Sequence, residues 1–181
     1  MAGKTKFLLH VCCAPCSTHV IESLKEKLDI TCYFYNPNIW PISEYRTRLK
    51  DARGFCRRIG MPIMLGSYDS ELWILATRGF EDEPEGGKRC EICFYFRLLD
   101  TARTASRLGF DLFGTTLTIS PHKNPEAVNE AGRRAGRVTG MAFCEGDYKK
   151  KDGFLRSIEL SKKYHLYRQS YCGCRYSIRT P

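Results

Sequence analysis

Cys12, Cys13 and Cys16 stand together in HVCCAPCS, directly after the apolar run FLLHV, and Cys90 and Cys93 recur three apart in RCEIC. Thiolates are soft ligands, and four of them around one point suit a tetrahedral zinc or an iron–sulfur cluster. On a helix, residues three apart share a face about one turn apart, so both thiols of RCEIC can reach one centre. Cys12 and Cys13 would point to opposite faces within a regular strand, but where the chain turns out of the strand end they can converge. Cys12, Cys13, Cys90 and Cys93 therefore offer four soft ligands from two elements, and spacing leaves zinc and iron–sulfur both open.

The YCGC element poses a different question. Cys172 and Cys174 are poorly placed to share a helical face, yet Gly173 relaxes the backbone enough for a tight turn. Such a turn can close a vicinal-type redox disulfide or present two thiols to a metal; Arg168 and Arg175, where close, favour the thiolate. Asp147, in the basic stretch EGDYKKKDG, could ligate a hard metal, donate a proton or simply pair with a lysine. Cys32 and Cys56 lie inside apolar patterns and read as small buried hydrophobes. Tyr164, Tyr167 and Tyr171, interleaved with Lys163, Arg168 and Arg175, are candidates for stacking an unpaired base.

These residues need elements to hold them. KFLLHVC reads as a buried strand and STHVIESLKEKL as an amphipathic helix with Ser17 at its N-cap. DITCYFYNPNI is a second strand closed by a turn, ISEYRTRLKDARGFCRRIG a helix ending at Gly60, and MPIMLG a third strand. SYDSELWILATRG predicts a short helix, FEDEPEGGKR a loop, and RCEICFYFRLLDTARTASRLG a long helix stopping at Gly109. FDLFGTTLTIS predicts a strand, PHKNPEAVNEAGRRAGRVTG a connector and helix, and MAFCEGDYKKKDGFLRSIELSKKYHL a short strand, a basic loop and a last helix. The alternation implies an α/β fold, a parallel sheet with covering helices, whose strand carboxyl ends surround the ligand crevice. No repeat, linker or low-complexity tract divides the chain, so residues 1–181 are expected to form one domain.

A chain of 181 residues can bury a core without covalent staples, so its ten cysteines are not explained by smallness. No long apolar segment marks a membrane span or a secretory leader, and the expectation is a cytoplasmic chain whose cysteines serve metal or redox chemistry. Lys and Arg number 29 against 20 Asp and Glu, a net charge of +9 that favours a polyanion such as RNA. There is no GxSxG, GxGxxG or GxxxxGK, which argues against esterase, nicotinamide and P-loop readings.

HVCCAPCS, FYNPNIWP with the tyrosine of SEYRTR, RCEICFYFRL, FGTTLTISPHKN and YRQSYCGCRYS together resemble the compact epoxyqueuosine reductases of the QueH type, in the expected order from about residue 7 to residue 179. The resemblance implies a fold similar to the adenine-nucleotide α-hydrolase (HUP-like) type, with the CCAPC turn in place of the usual phosphate-binding turn. It implies the last step of queuosine formation, in which the wobble base of a tRNA carrying epoxyqueuosine loses its epoxide oxygen with an external electron donor and no membrane. It implies a [4Fe–4S] cluster on Cys12, Cys13, Cys90 and Cys93, and a redox-active pair in Cys172 and Cys174. An additional mononuclear metal, iron by analogy, is also implied; Cys16 and Asp147 are its candidate ligands here. The competing expectations are a zinc-stabilised RNA-binding module without catalysis and an ATP-using RNA-thiolating enzyme, the latter disfavoured because CCAPCS stands where a glycine-rich phosphate loop is needed.

Overall fold

The computed structural model describes residues 3–178, so the first two and last three positions of the expected domain lie outside the described residues. Five strands, β1 (Thr5–His10), β2 (Leu28–Phe34), β3 (Ile63–Leu65), β4 (Leu112–Thr115) and β5 (Ala142–Phe143), form one sheet in the order β3-β2-β1-β4-β5. Every pairing is parallel, with Phe7 to His10 of β1 flanked by Ile30 to Tyr33 on one side and Leu112 to Thr115 on the other. Phe7, Leu8 and Leu9 are completely buried, as a central strand covered on both faces requires.

The two-residue alternation of β1 divides the core. Phe7 and Leu9 face α1 (Ala14–Leu24) and α2 (Ile42–Arg58), in a cluster with Val20, Ile21 and Phe55. Leu8 faces the other way, toward Leu98 and Ala102 of α4 (Lys88–Arg107) and Val128 and Ala131 of α5 (Pro125–Thr139). The short α3 (Ser70–Ala76) packs Trp73 against α4, and α6 (Gly153–Lys163) lies beside α1. After β3, at one edge, the chain returns to β4 beside β1. The order therefore reverses between β1 and β4, and the crevice beyond their carboxyl ends is where such sheets bind ligands.

Two local expectations are corrected. The first helix begins at Ala14, with Cys13 as its N-cap: the Cys13 Sγ accepts from the Cys16 backbone N–H at 3.4 Å. Pro15 belongs in a first turn because its missing N–H is not needed there, and Ser17 donates its hydroxyl to Ala14 O instead of capping. The strand FDLFGTTLTIS stops at Thr115. Its Oγ1 accepts from the Leu117 N–H at 3.2 Å, turning the chain into a 3-10 turn over Leu117–Ile119.

At the strand ends His10 joins three strands, its Nε2 3.1 Å from Tyr35 O and its Nδ1 2.9 Å from Thr115 Oγ1. Burial, reinforced by the charge of Arg97, lowers its pKa to about 4, so the ring is a neutral brace.

Gly114 keeps β4 close to this brace. A Cβ there would lie 2.6 Å from the ring of the fully buried Phe7 and 3.3 Å from Cys144 O. Gly114→Ala is expected to destabilise the fold by about 1–3 kcal/mol through overpacking, read as a lower denaturation midpoint with an unchanged denaturant slope.

Candidate metal and redox site

The CCAPC turn carries the densest sulfur. The Sγ atoms of Cys12, Cys13 and Cys16 all lie within 4.8 Å of one another, those of Cys12 and Cys13 being 3.8 Å apart. The expected divergence of Cys12 and Cys13 is removed because β1 has ended at His10 and Cys13 already caps α1. Hydrogen bonding with Cys13, then with Cys16, holds the Cys12 thiol well below its ordinary pKa. Burial and the proximity of Cys12 push Cys13 up to about 12, while hydrogen bonds with Cys12 and Cys13 raise Cys16. One proton is thus readily lost from the trio, and a cation would be needed to draw off the others.

The donor set fits a soft metal centre. Besides the Cys16 N–H, Cys13 Sγ accepts from Gln169 Nε2 at 3.1 Å. Hydrogen bonds of this kind hold ligand sulfurs in place and tune a cluster. Gln169 belongs to YRQSYCGC, so this bond ties the end of the chain to its first turn.

Cys90 and Cys93 lie in the first turns of α4, and Arg97 extends their face by a further turn. Cys90 Sγ accepts from the Gly86 N–H at 3.2 Å, and burial raises its pKa. Cys93 is buried in a small cluster with Trp73 and Cys174. The three sulfurs within 4.8 Å are those of the first turn; the RCEIC pair stands outside that trio.

The YCGC turn is clamped from α2. Arg48 donates from Nη1 to Cys172 O at 3.0 Å and from Nη2 to Tyr171 O at 3.1 Å, while its Nε pairs with Glu44 at 2.7 Å. Gly173 has φ +113°, and a Cβ would stand 2.9 Å from Arg48 Nη1 and 3.1 Å from Ile39. Cys172 is half-buried, whereas Cys174 is buried and its pKa rises to about 11, chiefly through burial.

A cavity of about 490 Å³ opens among these elements, walled by Cys12, Cys16 and Cys172 together with Arg97, Lys123 and Tyr171. Desolvation would lower the pKa of Lys123, but the charges of Cys172, Cys12 and Cys16 more than offset it and raise the pKa. Asp147 is not in the wall of this cavity; its Oδ2 pairs with Lys150 at 3.5 Å, and its Oδ1 is buried without a partner. Of the candidate stacking residues, Tyr164 packs edge-on against Phe55, Tyr167 donates to Glu44, and Tyr171 donates to Trp40 O beneath the Arg48 guanidinium. Cys32 and Cys56 are buried in the core as read.

Sequence reasoning missed Arg97, Lys123, Gln169 and Arg48. Helical spacing from Cys93 could have found Arg97, and Lys123 and Gln169 lie inside motifs already singled out. Arg48 ends the quoted SEYRTR, but its role was not legible there, because its acceptors are backbone carbonyls more than a hundred residues away.

Fold and site together define a doubly wound α/β protein with a thiol-lined cavity at its switch point. In fold it is similar to the U34-tRNA thiolase NcsA from Methanococcus maripaludis, solved with its [4Fe-4S] cluster, at a TM-score of 0.61 and 14% identity over 98% of this chain and 63% of the thiolase. The family model of epoxyqueuosine reductase QueH matches residues 7–180. Curated relatives named epoxyqueuosine reductase QueH include that of Streptococcus pyogenes serotype M1, 41% identical over 97% of this chain and 71% of the relative. That of Thermotoga maritima is 35% identical over 94% of this chain and 89% of the relative. The chain belongs to the epoxyqueuosine reductase QueH family.

Gly173→Ala is expected to cost about 1–3 kcal/mol, because the left-handed backbone and the Arg48 contact both oppose a side chain. The loss is read as a lower denaturation midpoint with an unchanged denaturant slope.

Proposed function

We propose that this chain reduces epoxyqueuosine to queuosine at the wobble position of tRNA, as a single catalytic domain in the cytoplasm with an external electron donor. The observation that carries the reading is the family match over residues 7–180, and the cavity wall with Cys12, Cys16 and Cys172 supports it. Among the described residues no helix is long and apolar enough to cross a membrane. The +9 charge suits a tRNA substrate, and Arg175, 5.1 Å from the ring of the exposed Trp40, supplies a cationic and aromatic edge near the YCGC turn.

The reaction breaks both C–O bonds of an epoxide and restores a C=C bond; with two electrons and two protons, the oxygen leaves as water. A dithiol balances this, since two S–H groups becoming one S–S bond release two electrons and two protons. Cys172 and Cys174 are assigned that role, and an external reductant resets them. We assign a [4Fe–4S] cluster to Cys12, Cys13, Cys90 and Cys93; when bound, it supplies electrons one at a time. Cys16, the remaining sulfur of the first turn, is assigned with Asp147 to an additional mononuclear metal, with iron the expected ion. Lys123 keeps a positive charge at the cavity wall, where it offsets negative charge on the departing oxygen. The half-buried Cys172 faces the cavity, and Cys174 behind it is protected from side reactions.

Protein purified without oxygen should carry iron and acid-labile sulfide, with iron in excess, about five to four, where the mononuclear site is also filled by iron, measured by metal and sulfide analysis. Cys12→Ser and Cys90→Ser should lose the sulfide and the iron that accompanies it, together with conversion of epoxyqueuosine-bearing tRNA. Zinc in place of iron, with binding but no conversion, would support the RNA-binding module instead.

Cys172→Ser should keep its iron and sulfide while turnover falls by at least about 100-fold, in line with loss of a nucleophile or redox partner. Loss of the cluster in this variant would make Cys172 a ligand, and retained turnover would remove the dithiol from the reaction.

A further inference from the structure

Arg97 is 2% exposed and sits four residues after Cys93, on the helical face that carries both RCEIC cysteines. Its Nε donates to Cys93 O at 3.4 Å and its Nη1 to Asn36 Oδ1 at 3.3 Å. Asn36 in turn donates to Val11 O at 3.0 Å, the residue before Cys12. The guanidinium thus stands between the two cysteine-bearing elements. Its Nη2 is buried without a partner, although Arg97 forms part of the cavity wall.

A purely structural arginine would be expected to satisfy its donors or to sit against a carboxylate. Its side-chain partners are the Cys93 carbonyl and the Asn36 amide, not a carboxylate, and Cys12 and Cys172 share the cavity wall with it. A desolvated cation is retained only where negative charge compensates it, and the available charge here is that of the sulfur centre. Resting on the reading that Cys12, Cys13, Cys90 and Cys93 hold a cluster, we propose that Arg97 is a positioning residue whose fixed positive charge stabilises the reduced form of that centre. Each electron that arrives adds one negative charge, so a cation at fixed distance favours the reduced state over the oxidised one. Net charge and hydrogen bonding are among the factors that set cluster potentials. The free Nη2 supplies a hydrogen-bond donor in addition to the charge.

The test is an anaerobic redox titration of the cluster spectrum in the wild-type protein and in Arg97→Gln, Arg97→Lys and Asn36→Asp, with iron and sulfide measured in each. Arg97→Gln should keep its cluster and show at least about a tenfold loss in the reduction equilibrium, a negative shift of about 59 mV for a one-electron couple. Arg97→Lys, which keeps the charge, should recover most of that shift. Should Arg97→Gln not load, Asn36→Asp carries the test: a carboxylate beside Nη1 neutralises the guanidinium in place and should move the potential in the same negative direction. A loaded cluster whose potential is unchanged in both Arg97→Gln and Asn36→Asp overturns the inference and leaves the function standing. Equal shifts in Arg97→Gln and Arg97→Lys overturn it too, since charge would not be the cause. Wild-type protein without a cluster would sink the functional reading itself.

Discussion

The site depends on a balance of desolvated charge. Cys12, Cys13 and Cys16 are packed so closely that losing a second proton from the trio is unfavourable, as the raised pKa values of Cys13 and Cys16 show. Against them stand Arg97 and Lys123, held beside the same cavity and raised in pKa by those and neighbouring thiols. Neither side would be tolerated alone in a low-dielectric pocket. The sulfur and the cations are best regarded as one unit, with the fold arranged to keep it together.

The parallel sheet supplies that arrangement. Its order reverses beside β1, so the ends of β1 and β4 leave a gap that no crossover helix fills. His10 stiffens the gap by joining Tyr35 and Thr115, and burial keeps it neutral so that it adds no further positive charge. The far end of the chain reaches the gap through polar bonds: Gln169 grips Cys13, and Arg48 grips the carbonyls of Tyr171 and Cys172. The YCGC turn is therefore fixed by α2 and by the first turn, not by secondary structure of its own.

Much of this was legible in the residues. The run FLLHV, buried on both sides, and the alternation of strand and helix patterns gave the parallel sheet, and Gly60, Gly109 and Gly140 mark helix ends with positive φ. Cys12, Cys13 and Cys16 were seen as a group because they are adjacent in sequence. Their cap geometry was not, because a serine at position 17 is the stronger capping signal while Pro15 decides where the first turn lies. Arg97 and Lys123 were missed for another reason. Lys and Arg are almost always exposed, so although Arg97 follows Cys93 at helical spacing, its burial and the place of both cations in the wall of the thiol-lined cavity are visible only in three dimensions.

The first turn also explains how one α/β architecture can serve different chemistry. The start of a helix after a strand presents free N–H groups and the positive end of a dipole, which many α/β proteins use for phosphate. Here Cys13 occupies that position, and its sulfur accepts the N–H of Cys16 at 3.4 Å. A helix start by itself favours a thiolate as it favours a phosphate, but burial and the proximity of Cys12 outweigh that at Cys13 and raise its pKa. CCAPC thus places sulfur at a corner that many α/β proteins use for anions. What the corner does is then decided by which groups surround the sulfur, and here those include the cations Arg97 and Lys123 and the thiol of Cys172.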